Sequence, residues 1–154
     1  MDLAICLLKQ ESIIACEEIF SQKIQALTNI LLDLNTSTNN ESKSSAGDKH
    51  ETSRAMMQIE QEKISKQLLE LKNQYDAFHK IDFTKKNKTI GVGSFIQTDK
   101  GFFLIASSLG KIVLQKNFVF LISLQSPIGN AFKGLVKNET LTFNGSKYHI
   151  TDFE

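Results

Sequence analysis

Two carboxylates three residues apart, Asp48 and Glu51, follow a glycine in the segment Ala46-Gly47-Asp48-Lys49-His50-Glu51. At a helix start this spacing makes a capping box, with Asp48 as N-cap and Glu51 returning a hydrogen bond, and both anions suit the positive end of the helix dipole. The same spacing puts two hard oxygen donors on one helical face. They are too few to hold Mg²⁺ alone, because the ion takes near-octahedral coordination and keeps waters, but they can complete a site whose other ligands belong to a partner. The two readings are compatible. Lys49, His50 and Arg54 read as solvated side chains, and no Ser/His/Asp or Cys/His arrangement presents itself. Cys6 and Cys16 on one helix would sit about 15 Å apart, too far for a disulfide, and read as reduced thiols. With three His and two Cys in the chain, no structural zinc site is expected. Gly91-x-Gly93 lacks the third glycine of a dinucleotide site and reads as a turn leading into a strand.

The elements that must position these carboxylates follow from two periodicities. In the front half, Ile13, Cys16, Phe20, Ile24, Leu27, Leu31 and Leu34 form one apolar stripe, and Met57, Ile64, Leu68, Leu71, Tyr75 and Phe78 a second. From Phe20 and from Ile64 the steps run 4, 3, 4, 3, the spacing of a coiled-coil seam. Gln61 fills one seam position and is a weak spot. Two helices with matching narrow stripes should pair, and the Ser/Thr/Asn-rich connector from Asn35 to Gly47 makes an antiparallel hairpin the direct solution. Its tip falls near residues 44–53.

The back half changes register. Ser94–Thr98 and Phe102–Ala106 read as strands around Asp99-Lys100-Gly101, and Phe118–Leu124 as a buried strand. Leu141–Phe143 and Lys147–Ile150 flank Asn144-Gly145, the dipeptide of type I′ turns. Pro127 to Gly134 reads as one or two helical turns. The expected architecture is α+β: a coiled-coil hairpin over residues 1–84, then a small antiparallel β domain over 85–154, joined in the basic run Thr84–Thr89.

A chain of 154 residues with 41% hydrophobic and 23% charged residues is neither disordered nor fibrous. No apolar run approaches the ~18 residues of a membrane span. The opening MDLAICLLKQES lacks a basic n-region and a small-residue cleavage site, so a cytoplasmic protein without a membrane partner is expected. The formal net charge of +1 hides an asymmetry. Residues 1–84 carry 9 basic and 13 acidic side chains, net −4, whereas residues 85–154 carry 9 lysines and 4 acids, net +5. The two halves have different electrostatic partners.

The run Ile122-Ser123-Leu124-Gln125-Ser126-Pro127-Ile128-Gly129-Asn130-Ala131-Phe132-Lys133-Gly134 closely resembles the C-terminal signature of the Gre transcript-cleavage factors, bacterial transcription elongation factors that act on RNA polymerase. The Gly93-Ser94 start of the β domain and the closing hairpin of Leu141–Ile150 look similar as well. The resemblance implies a coiled-coil hairpin followed by an FKBP-like β domain. It implies docking of that domain, through the loop holding Ser126 and Pro127, at the rim of the polymerase secondary channel. It further implies that Asp48 and Glu51, matching the family's Asp-x-x-Glu after a glycine, are the catalytic tip residues. These help Mg²⁺ at the polymerase active centre hydrolyse a backtracked RNA 3′ end. On that implication the free protein holds no metal or other cofactor and is not itself an enzyme. Where the family usually carries Asn-Ala-Glu-Tyr, this chain has Thr52-Ser53-Arg54-Ala55.

That departure keeps a second function in view, a secondary-channel regulator that inhibits polymerase without promoting cleavage. A prolyl isomerase would be a third, but fold analogy carries no active site. A holdase would need an apolar tip. RNA contact, where made, is expected mainly at phosphates.

Overall fold

The computed structural model describes the backbone of residues 2–41 and 47–154, and every side chain among them except those of Glu41, Asp48 and His50. Helix α1 spans Leu3–Glu41 and α2 spans Gly47–His79. Six strands and a short helix follow: β1 Phe95–Thr98, β2 Gly101–Ile105, β3 Gly110–Leu114, β4 Asn117–Ile122, α3 Pro127–Phe132, β5 Thr140–Phe143 and β6 Ser146–Phe153. The α+β architecture expected from periodicity is the one observed. By packing, the chain forms two compact units, Phe20–Asp76 and a second made of Met1–Ile19 with Ala77–Glu154. The division near residue 84 follows the change of period, whereas this one follows contacts.

The unit Phe20–Asp76 is an antiparallel helix pair. Phe20 stacks on Tyr75 with ring centroids 5.0 Å apart. Further along, Gln61 Nε2 donates to Asn35 Oδ1 at 2.9 Å and to Thr38 Oγ1 at 3.1 Å, and Thr38 Oγ1 lies 3.8 Å from Met57 Sδ. Partners therefore draw closer in sequence toward the chain reversal, as an antiparallel register requires. Burial tracks the predicted stripes: Ile24, Leu27, Leu31 and Leu34 are half-buried among mostly exposed neighbours, and Ile64 and Leu68 are buried. Gln61 is a seam residue with partners, a polar device that fixes register at some cost in stability. The connector expected from Asn35 is helical as far as Glu41. Thr36 and Thr38 turn their hydroxyls back onto the carbonyls of Leu32 and Leu34, at 3.0 and 2.8 Å, so their polar groups need no loop.

In the other unit the sheet runs β3-β4-β2-β1-β6-β5. All neighbours are antiparallel except β2 and β4, a parallel pair that corrects the all-antiparallel expectation. The strand between them in sequence, β3, lies outside them at the sheet edge. The reason is burial. Strands β2 and β4 carry Phe103, Leu104, Ile105, Val119 and Leu121, each at most 1% exposed, and such strands belong inside a sheet. Strand β3 leaves Lys111 and Val113 exposed. Helix α3 covers one face, where Phe132 joins Ile90, Ile96, Phe103, Ile105, Leu141 and Ile150. Asn144 and Gly145, at φ 47° and 75°, make the expected turn between β5 and β6.

Residues Leu8, Ser12 and Cys16, on one face of α1, are also buried in this unit. Both cysteines are free thiols. Burial pushes the Cys16 thiol from its ordinary 9.0 up to about 12, with the Glu17 carboxylate adding to the shift. Below pH 9 the thiol is protonated in folded and unfolded chains alike and has no effect. Above it, the unfolded chain loses a proton that the folded chain keeps, so stability falls between about pH 9 and 12, by at most about 1.4 kcal/mol per pH unit. Denaturant unfolding at pH 8 and pH 10.5 should show a steeper decline for the wild type than for Cys16→Ala.

Candidate functional site

The first candidate lies where α2 begins. Helix α2 spans Gly47–His79, so Asp48 lies inside it rather than at the N-cap expected from the sequence, and Asp48 and Glu51 both fall among its first five residues. Helix geometry puts positions three apart on one face. Glu51 is exposed, as are Lys49, Thr52, Ser53 and Arg54. The Asp48 side chain and the 44–46 part of the predicted tip lie outside the described residues, as does any capping bond from Asp48. The Glu51 side chain lies near the N-terminal, positive end of the α2 dipole, a place where acidic residues suit a helix. Arg54, three residues on, brings a guanidinium to the same face.

The second candidate is the loop before α3, where Ser126 and Pro127 sit. Ser126 is the N-cap: its Oγ accepts from the Gly129 N–H at 3.1 Å and donates to the Ser123 carbonyl at 2.7 Å. The Ser126 N–H donates back to the same carbonyl at 3.1 Å. Pro127 occupies the first turn, where its fixed φ suits the helix and its missing N–H costs nothing. The close return of the chain leaves no room at Gly129, where a Cβ would stand 2.0 Å from the Ser123 carbonyl oxygen. Helix α3 then delivers Phe132 to the core, its ring 4.9 Å from that of Phe103.

The two residues named from sequence in this loop thus differ. Ser126 is half-buried and its hydroxyl is engaged inside the loop, whereas Pro127 is exposed, between exposed Gln125 and half-buried Ile128. Sequence reading overlooked Ser123 and Gly129, which hold the loop's shape. The Ser-x-x-Ser-Pro spacing was the available signal for the first, since a serine before proline is a helix-start pattern. Gly91 and Gly93 form the expected turn, with the Ser94 N–H donating to the Gly91 carbonyl at 3.1 Å just before β1.

Among the described residues no group of three or more His, Cys, Asp or Glu side chains is placed to hold a metal ion. Nor, among them, is any helix long and apolar enough to cross a membrane. No protein family and no curated protein matches the chain. A solved structure, described as that of the transcription factor Gfh1, is similar over 93% of this chain and 91% of that chain, at 18% identity and a TM-score of 0.33.

Proposed function

We propose that this protein is a transcription elongation factor of bacterial RNA polymerase. On this reading the Ser126–Pro127 loop docks at the rim of the secondary channel and the helical hairpin enters it. There Asp48 and Glu51 assist Mg²⁺-dependent cleavage of a backtracked RNA 3′ end. The observation that carries the reading is the exposed Glu51 carboxylate among the first five residues of α2, at the end of an antiparallel helix pair where the chain reverses. The internally hydrogen-bonded Ser123–Gly129 loop supports it, since it leaves Pro127 exposed.

The donor set fits a shared ion rather than an owned one. Two carboxylates satisfy part of an octahedral shell and leave the rest to another protein. Bound between them, Mg²⁺ would polarise the phosphate and sharpen a water nucleophile. The chain's own contribution is to bring two negative oxygens, held on one helical face, to a centre it does not contain, and to accept hydrogen bonds from water there. It is an accessory to polymerase chemistry and requires no cofactor of its own.

Arg54 favours one second reading. Its cationic head, exposed one turn after Glu51, competes for the same carboxylate and opposes a nearby divalent ion. A chain so equipped would occupy the channel and inhibit without cleaving. A stalled, backtracked complex of the cognate core polymerase decides between them. Shortening of the labelled RNA on adding the full chain supports cleavage, and inhibition without shortening supports the regulator. Failure to bind core polymerase at all removes both.

A further inference from the structure

The α3-covered face of the sheet is sealed at one end and open at the other. Along β4, Ile122 packs into the core beneath α3, Phe120 is half-buried, and Phe118 is 48% exposed. On the edge strand β3, Val113 pairs with Phe118 and Lys111 with Phe120, and Val113 is 60% exposed. On the other side stands Gly101, which puts no side chain beside these rings: a Cβ there would lie 3.7 Å from Phe120 Cε2. The rings continue inward. Phe120 stacks on Phe103 at 4.9 Å, and Tyr148 meets Phe103 edge-on at 5.7 Å. An ammonium lies over each end of this strip. Lys111 Nζ is 3.7 Å from the Phe118 centroid, and Lys100 Nζ is 5.2 Å from that of Tyr148.

The strands that carry the strip come from a basic stretch of chain, although the packed unit also includes Met1–Ile19, whose Glu11 carboxylate accepts from Gln115 Nε2 at 2.6 Å at the β3–β4 turn. Residues 85–154 carry nine lysines, no arginine and four acids. All four acids are engaged within the unit. Asp99 accepts from the His149 N–H at 2.8 Å, and Glu139 from the Val136 N–H at 2.8 Å. Asp152 pairs with Lys137 at 3.4 Å, and Glu154 Oε2 lies 3.9 Å from Cys6 Sγ.

We infer that this aromatic strip, flanked by Lys100 and Lys111, binds a single strand of nucleic acid without sequence preference. The exposed Phe118 ring, with half-buried Phe120 beside it, offers a stacking surface to any base, and the ammonium groups nearby take the phosphates. An acidic peptide would use the lysines but gain nothing from the rings. The absence of arginine in this half removes the bidentate donor most used to read bases, hence the sequence tolerance. When a base takes the Phe118 face, Lys111 moves from ring to phosphate. The inference is independent of the function proposed for the hairpin.

Fluorescence anisotropy of the full chain with labelled 12-mers of uridine and of thymidine tests it. Both strands should bind alike. Two neutralised phosphates give a slope of about −1.4 in log K against log salt. Phe118→Ala should weaken binding about 10-fold, and Phe118→Trp should keep it. Lys100→Gln with Lys111→Gln should flatten the salt slope. Phe118 is exposed, so Phe118→Ala should fold, as circular dichroism will verify. No binding at 50 mM salt (about 14 Å screening length) overturns the inference. So does an unchanged affinity in Phe118→Ala, or displacement of the strand by poly-glutamate at equal charge.

Discussion

Gly129→Ala is expected to cost the β unit about 3 kcal/mol or more, well beyond ordinary surface or cap substitutions. The new Cβ would stand 2.0 Å from the Ser123 carbonyl oxygen and 3.0 Å from both the Ser123 carbonyl carbon and Ser126 Oγ. Two of those three atoms are backbone, and the third is the capping hydroxyl. Relief must come from moving the 123–126 segment away from α3. That breaks the Ser126 cap, worth about 1 kcal/mol by itself. It also shifts the helix that seats Phe132, fully buried against Phe103. A displaced core phenylalanine approaches the about 3–5 kcal/mol of a Phe-to-Ala truncation. Ser126→Ala should lose only the cap. Urea unfolding followed by near-ultraviolet dichroism of the sheet aromatics measures both. Equal midpoints for Gly129→Ala and the wild type would mean that the loop relaxes without cost.

That prediction shows why the loop was only half legible in the sequence. Pro127 and the turns after it announce a helix start, and the structure places α3 at Pro127–Phe132. The reason for Gly129 is a contact with Ser123, six residues away, that no local propensity encodes. The same contrast runs through the fold. The 4, 3 stripes and the Asn144-Gly145 turn are local signals with strong physical causes, and the helix pair and the β5–β6 hairpin follow them. Strand β3 had no such signal. Its turn to β4 uses Gln115 and Lys116 at φ 48° and 68°, residues that do not advertise a left-handed turn. Its alternation is also weak, because one side of an edge strand is open to water. The parallel β2–β4 pair is a tertiary choice about which strands are buried, made after the strands themselves are defined. The helical stretch from Asn35 to Glu41 was hidden by composition. Ser, Thr and Asn favour loops in isolation, yet here Asn35 and Thr38 meet Gln61 across the hairpin.

Replacing Asp48 and Glu51 together by alanine should reduce stimulated RNA cleavage about 100-fold or more, with polymerase binding nearly unchanged. Removing groups that only orient a metal's ligands costs 10- to 100-fold, about 1.4–2.7 kcal/mol at the barrier, and these carboxylates are proposed to stand closer than that. The price to the fold is small by comparison: Glu51 is exposed, and losing an anion from the first turn of a helix costs about 0.3–1 kcal/mol. Under the proposed function, docking falls to the other unit, through Pro127, so affinity for core polymerase would report on a surface the variant does not touch. Asp48→Asn with Glu51→Gln preserves size and one acceptor oxygen on each side chain while removing the charge. If the amide variant fails as the alanine variant does, the ionised oxygens are what the reaction needs. Undiminished cleavage in either variant removes the hairpin end from the chemistry. Arg54→Glu supplies the opposite test, since it removes the cation three residues from Glu51 and adds an anion. Enhanced shortening in that variant, from a wild type that cleaves weakly, would identify Arg54 as the brake. A wild type that inhibits without shortening RNA, and an Arg54→Glu variant that does the same, would assign the protein to channel blocking alone.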